Sequence, residues 1–281
     1  MTEHYVTLFD SLYLPQGLAL HASLQRFAAP YTLWIVCMDE KCSSVLSQLE
    51  LPNVRLLRVD DHLSMALRTV RTQRTIGEFC WTMTPYVFDL VFTQDDHVTR
   101  LTYLDADVWF RKSPRPIFQE LDASGKTVLI TDHGYAPDYD QSAASGQYCV
   151  QFLTFHRNGS EEVRLRWQSQ CLEWCFNRVE NGKFGDQKYL DDWPVVFENR
   201  GHVLKDHGLT LAPWNACRFP YGNSIIWHFH GLKLRREGNS NNYNLDVGAG
   251  YYSIPRVVNE NVYLPYISDL KAALAQLEPL V

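Results

Sequence analysis

Apolar residues in the first third of the chain fall into short blocks separated by amphipathic stretches. YVTLF (5–9), YTLWIVCM (31–38) and NVRLLRV (53–59) are mostly apolar runs of strand length, and segments 16–27 and 41–49 between them repeat their apolar residues at helical spacing. A further helix, about 78–93, precedes LTYL, the fourth strand of the series. Alternation of this kind predicts an α/β chain with helices on both faces of a parallel sheet. Ligands of such sheets sit beyond the carboxyl ends of the strands.

The fourth strand runs into an unusual pair of charges. In RLTYLDADVWF (100–110), Asp105 and Asp107 stand one residue apart where the chain otherwise reads as buried. Like charges that close oppose one another unless they reach water or share a cation. An extended backbone sends residues i and i+2 to the same side, so both carboxylates can aim at one ion while the small Ala106 faces the other way. A hard divalent ion takes one or two protein carboxylates and fills its remaining positions with water and substrate phosphates, so the pair reads as a diphosphate anchor. The competing reading is a solvated strand end or a helix cap.

Two later stretches carry further chemistry. If IIWHFHGLKLRR (225–236) is one strand, His228 and His230 share a face, Gly231 allows close backbone approach, and Lys233 and Arg235 bring positive charge. That set suits a metal diphosphate, though two histidines on an edge strand would read the same way. In GKFGDQKYLDDWP (182–194), Asp186, Gln187, Asp191 and Asp192 could orient a sugar or cap a helix.

Composition narrows the class. The 281 residues are 46% hydrophobic and 13% aromatic, enough for a sizeable core, and 26 basic residues against 32 acidic ones give a net charge of -6 with both signs scattered. The basic footprint of a nucleic-acid binder is missing. The longest apolar run is far short of the ~20 residues that cross a bilayer. The opening MTEHYVTLFD lacks the basic start and apolar middle of a signal peptide, which points to the cytoplasm. Seven cysteines without zinc-ribbon spacing are expected to be free buried thiols. Residues 237–250 read as a polar loop, and YLPYISDLKAALAQLEPL as a helix that packs on the core.

VTLFDSLY, LTYLDADVWF, GQYCVQFLTF, GDQKYLDDWP, LAPWNA and HFHGLK follow one another from about residue 5 to 235. In that order they resemble the nucleotide-sugar glycosyltransferases of the GT-A fold, in particular the retaining group that contains glycogenin and the bacterial lipooligosaccharide galactosyltransferases. The chain is similar also to the nucleotide-diphospho-sugar transferases of bacterial surface polysaccharide loci. The resemblance implies a single domain with a Rossmann-like, mixed, mainly parallel sheet. Its nucleotide-binding half would be 1–110, its donor-sugar and acceptor half 111–236, and its C-terminal extension 237–281. It further implies that Asp105, Asp107 and His228 hold Mn²⁺ or Mg²⁺. Thr7, Phe9, Asp10 and Tyr13 would hold the nucleotide, with Tyr13 stacking on the base. Gly231 and Lys233 would lie near the diphosphate, and Asp186 and Gln187 would line the donor sugar near its anomeric carbon.

The activity that the resemblance implies is transfer of a hexose from a nucleotide-diphospho-sugar donor, UDP-linked, to a glycan or lipid-linked glycan acceptor. A lipid-linked acceptor would bring the enzyme transiently to the inner membrane. Three features depart from the family pattern. Lys233 lies one residue closer to His228, leaving Arg235 as an alternative contact for the diphosphate; Cys149 stands where relatives carry asparagine; and WTMTPYVFDL lacks an arginine. Two other readings remain open at the level of sequence. One is a phosphatase or phosphotransferase with an aspartyl nucleophile, whose D-x-D would normally follow the first strand. The other is a glycan-binding protein without catalysis, suited by aromatic-rich segments such as APWNACRFPYGN.

Overall fold

The structure, a computed structural model, describes residues 2–236, 243–246 and 252–280, with side chains described for all of these except 235–236 and 243–246. The strands in chain order are β1 (Glu3–Phe9), β2 (Tyr31–Cys37), β3 (Val54–Arg58), β4 (Arg100–Leu104), β5 (Val108–Phe110), β6 (Val128–Asp132), β7 (Tyr148–His156), β8 (Gly201–Val203), β9 (Thr210–Leu211), β10 (Ile226–His228), β11 (Lys233–Arg236) and β12 (Tyr243–Asp246). Seven of them form one sheet in the order β3-β2-β1-β4-β7-β6-β8. Only β7 runs against the others, pairing antiparallel with β4 and β6. The sheet is therefore mixed and mainly parallel, as the family resemblance implies, whereas the alternation alone predicts a parallel sheet without the reversed β7.

Burial explains which strands were plain in the sequence. β4 and β6 are buried along their whole length, and β1 and β2 nearly so. Covered on both faces, such strands read as continuous apolar runs. At the edge, β3 is partly exposed and carries arginines. Helices α1 (Leu14–Phe27) and α2 (Glu40–Leu49) connect the first strands, the second capped by the Asp39 side chain on the amide of Cys42 at 2.6 Å.

Three local expectations need correction. The single helix over 78–93 is two: after α3 (Met65–Arg71) come α4 (Ile76–Met83) and α5 (Val87–Gln94), joined by a 3₁₀ turn at Thr84–Tyr86. Pro85 lacks the amide hydrogen that would continue an α-helical ladder. The stretch 225–236 is likewise two strands, β10 and β11, separated by a turn at Gly231, whose φ of 82° suits glycine. Within the polar loop expected at 237–250, Tyr243–Asp246 is β12, given its ladder by antiparallel pairing with β11; residues 237–242 and 247–250 lie outside the described residues.

A second sheet, in the order β5-β10-β9, matters most for the site. Its register sets His228 opposite Val108, next to Asp107, and the amide of Phe229 donates to the Asp107 carbonyl at 3.0 Å. The C-terminal helix Leu264–Leu277 backs this sheet. The Tyr266 ring stacks on Phe229 with centroids 3.6 Å apart and planes within 5°, and Trp109 Nε1 donates to Asp269 at 2.7 Å. This helix packs on the core, as its apolar spacing suggests, burying Leu270, Ala273 and Leu277. All seven cysteines are free, five of them buried. Among the described residues no helix is long and apolar enough to cross a membrane.

Candidate active site

The carboxyl ends of β1 and β4 and the amino end of the reversed β7 meet at one edge of the main sheet. A cavity of about 630 Å³ opens there, within the size range of small-molecule sites. Asp105 and Asp107 lie on its floor with His228, and one ligand atom from each comes within 4.8 Å of the others. His228 Nε2 is 3.2 Å from Asp107 Oδ1 and 3.8 Å from Asp105 Oδ2.

The surroundings hold this trio in place. Gln151, on β7, accepts at Oε1 from His228 Nδ1 at 2.8 Å in a buried contact. With Nδ1 donating, Nε2 is the nitrogen left facing the carboxylates. Asp105 Oδ1 accepts from the Tyr103 hydroxyl at 2.9 Å. Burial pushes the Asp105 carboxyl up to about 6, His228 working against that rise and Asp107 adding to it. Burial opposes the charged forms of Asp107 and His228 as well. Their mutual charge and hydrogen bond outweigh it, holding Asp107 below the usual carboxylate range and His228 well above the usual imidazole range.

Two carboxylates and an imidazole that converge from separate strands form a donor set suited to Mn²⁺, and with its oxygen ligands to Mg²⁺. The hydrogen bond from the far imidazole nitrogen to Gln151 is the outer support that metal-binding histidines usually have. The residues present therefore fit a divalent cation.

Most of the other candidate residues line the same cavity. Phe9, Asp10 and Tyr13 do so from the end of β1, where Asp10 also caps the following turn through the amide of Leu12 at 3.0 Å. Asp186 and Gln187 do so from the opposite wall. Asp186 is 3% exposed, and its Oδ2 has no hydrogen-bond partner among the described residues. Burial and then the nearby Asp105 charge raise its pKa to about 7. Gln187 donates to the Ser145 carbonyl at 2.8 Å.

Others fall outside the lining. Thr7 is fully buried within β1, so its side chain does not reach the cavity. Gly231 and Lys233 follow the late histidines but do not line the cavity, and Lys233 is exposed. The Arg235 side chain lies outside the described residues. His230 lines the cavity beside His228, ring centroids 5.7 Å apart, brought there by the turn and not by strand alternation.

Sequence reasoning missed three supporting residues. Tyr103 stands two before Asp105, so strand alternation could have found it. Gln151 and Trp214 lie within the quoted GQYCVQFLTF and LAPWNA, but no local pattern turns either toward the histidine. The Trp214 ring sits 5.4 Å from both His228 and His230.

The class follows from fold and site together: a mixed, mainly parallel seven-stranded sheet with an acidic pair ending its fourth strand is the GT-A fold. Its solved likenesses are glycosyltransferases at low identity. LgtC, a galactosyltransferase solved in complex with donor and acceptor sugar analogs, matches at TM-score 0.57 and 12% identity, covering 96% of this chain and 95% of its own. Mouse xyloside xylosyltransferase 1 matches at TM-score 0.56 and 14% identity, covering 86% of this chain and 99% of its own. GlyE of Streptococcus pneumoniae matches at 0.53 and 15%, covering 99% and 64%.

At the level of sequence the chain is 31% identical over 257 residues, 83% of each chain, to the uncharacterized protein YfnF of Bacillus subtilis (strain 168), and it belongs to the YfnF family. YfnD of the same organism is 25% identical over 99% of this chain and 91% of its own. No family model matches the chain.

Proposed function

We propose that this protein is a metal-dependent glycosyltransferase that moves a hexose from a nucleotide-diphospho-sugar, UDP-linked, to a glycan or lipid-linked glycan acceptor. The observation that carries the reading is the convergence of Asp105, Asp107 and His228 at the floor of a cavity of about 630 Å³. These three would hold the ion, Mn²⁺ or Mg²⁺, which when bound supplies positive charge to the departing diphosphate.

The remaining roles belong to the chain's own residues. Asp10 and the half-exposed Tyr13 flank the nucleotide, with the Tyr13 ring available to stack on the base. Asp186 and Gln187 face the donor sugar near its anomeric carbon, each offering a side chain that can hydrogen-bond its hydroxyls. Trp214 and Trp81 wall the site and limit its water. Lys233 assists the diphosphate if β11 closes toward the cavity. Retention of the anomeric configuration and a place in bacterial surface polysaccharide synthesis complete the reading and rest on the family likeness of the ordered motifs; a lipid-linked acceptor would bring the cytoplasmic enzyme transiently to the inner membrane.

The test is release of nucleoside diphosphate from a panel of nucleotide sugars with and without Mn²⁺. Native protein should release it only with metal, and Asp105→Ala or Asp107→Ala should abolish release while circular dichroism stays native. Phosphate release from phosphomonoesters instead would favour the aspartyl-nucleophile reading. Sugar binding without either release would favour a glycan-binding protein.

A further inference from the structure

The sheet order divides the cavity into two sides. On one side of β4 lies β1, whose end carries Phe9, Asp10 and Tyr13, with Cys80 and Trp81 of α4 above it. On the other lie β7 and β6, and there the wall comes from the segment after β6, from Trp214 and from Tyr252. The nucleotide of the proposed function occupies the first side, with its diphosphate at Asp105 and Asp107. The donor sugar of that reading faces Asp186 and Gln187, and the aromatic wall of Tyr135, Trp214 and Tyr252 is left for the other substrate.

The chemistry of that second side is specific. Tyr135 lines it half-buried, with the His133 ring stacked on it at 4.6 Å and 11° between planes. Trp214 stands behind at 6.1 Å from Tyr135 and is fixed by its own Nε1 donating to the His133 carbonyl at 2.8 Å. Tyr252 is also half-buried there, and Gln141 Nε2 approaches its hydroxyl at 3.5 Å. Aromatic faces with amide and hydroxyl groups at their edges match a sugar ring, which offers apolar C–H faces and a rim of hydroxyls.

Charge completes the argument. Among the described residues the whole cavity wall holds four carboxylates, Asp10, Asp105, Asp107 and Asp186, and no lysine or arginine. A bound cation and the donor diphosphate offset one another on the first side. Apart from the histidines His133, His228 and His230, the wall offers an anion on the second side no cationic group to pair with, and burying an unpaired charge is costly.

We infer that the second side of the cavity is a subsite for an uncharged pyranoside acceptor, stacked on Tyr135, and that it rejects uronic acids and sugar phosphates. The inference rests on the glycosyltransferase reading, and one experiment separates the two. Binding of UDP with Mn²⁺ is measured first by calorimetry. Saturation-transfer NMR then compares methyl glucopyranoside and methyl galactopyranoside with glucuronate and glucose 1-phosphate, each added to protein loaded with UDP and Mn²⁺.

The neutral glycosides should show transfer and the two anions at least five-fold less. Tyr135→Ala should reduce the neutral signal about ten-fold, Tyr135→Phe should restore most of it, and both should keep native affinity for UDP. If native protein does not bind UDP, the donor reading fails and takes this inference with it. If UDP binds but glucuronate or glucose 1-phosphate gives transfer equal to the neutral glycosides, or if Tyr135→Ala leaves their signal unchanged, the donor reading stands and the inference alone is overturned.

Discussion

Asp186 should make the metal-free protein less stable as the pH rises. Its carboxyl is almost wholly buried, one oxygen lacks a partner, and its pKa stands at about 7 against the ordinary 3.8. An acid with a higher pKa folded than unfolded binds more protons in the folded chain, so its contribution to stability falls from about pH 4 to about pH 7 and is level above. At roughly 1.4 kcal/mol per pH unit, the gap between those values amounts to a loss of up to about 4 kcal/mol. Asp186→Asn removes the titrating group while keeping nearly the same shape. Urea unfolding in EDTA at several pH values between 4.5 and 8 should therefore show native protein losing stability relative to the variant through this window. His228 and Asp105 titrate in both proteins, so the difference between the two curves reports position 186 together with its charge interaction with Asp105. A difference that does not change with pH would mean that Asp186 is an ordinary ionised carboxylate, and the account of its burial would be wrong.

Three further outcomes follow from the site. Gln151→Leu removes the acceptor that orients His228, and should weaken Mn²⁺ binding about 10- to 100-fold in a titration followed by electron paramagnetic resonance, a range typical for outer-shell partners; unchanged affinity would remove Gln151 from that role. Tyr13→Ala should weaken UDP by about 1 to 2 kcal/mol, the scale of base stacking on aromatic side chains, and calorimetry giving the native dissociation constant would refute the stacking. Lys188 Nζ reaches the Ser142 carbonyl and Asp191 Oδ2, each at 2.8 Å, while Asp191 accepts from the Gln147 amide at 2.8 Å, so the wall at 142–147 is tied to the segment that carries Asp186. Lys188→Met should raise the acceptor KM several-fold with little change in donor hydrolysis, and equal loss in both would contradict a positioning role.

The sequence by itself determined the elements whose local chemistry is complete in a few residues. Strands β1, β2 and β4 are buried on both faces, so their apolar runs could hardly read otherwise, and the i, i+2 geometry of Asp105 and Asp107 follows from an extended backbone. The order of the six motifs carried the fold class, because several weak signals in a fixed order are far more specific than any one. Local spacing misled where a single residue changes the backbone: Pro85 divides the helix over 78–93, and Gly231 turns the chain after His228, so the two late histidines meet by a turn.

Tertiary structure decided what depends on pairing between distant segments. The register of β10 against β5 sets His228 beside Asp107, and no pattern within either segment contains that register. Gln151 turns toward His228 because β7 runs antiparallel to β4, which brings its early residues to the ligand edge. Thr7 shows the converse: it stands in the same motif as Asp10 and Tyr13, yet it is fully buried within β1 and does not line the cavity. Burial also set the acidity of Asp186, since a carboxylate's pKa depends on the solvent and charges that the folded chain puts around it, and the sequence specifies neither until the chain has closed on itself.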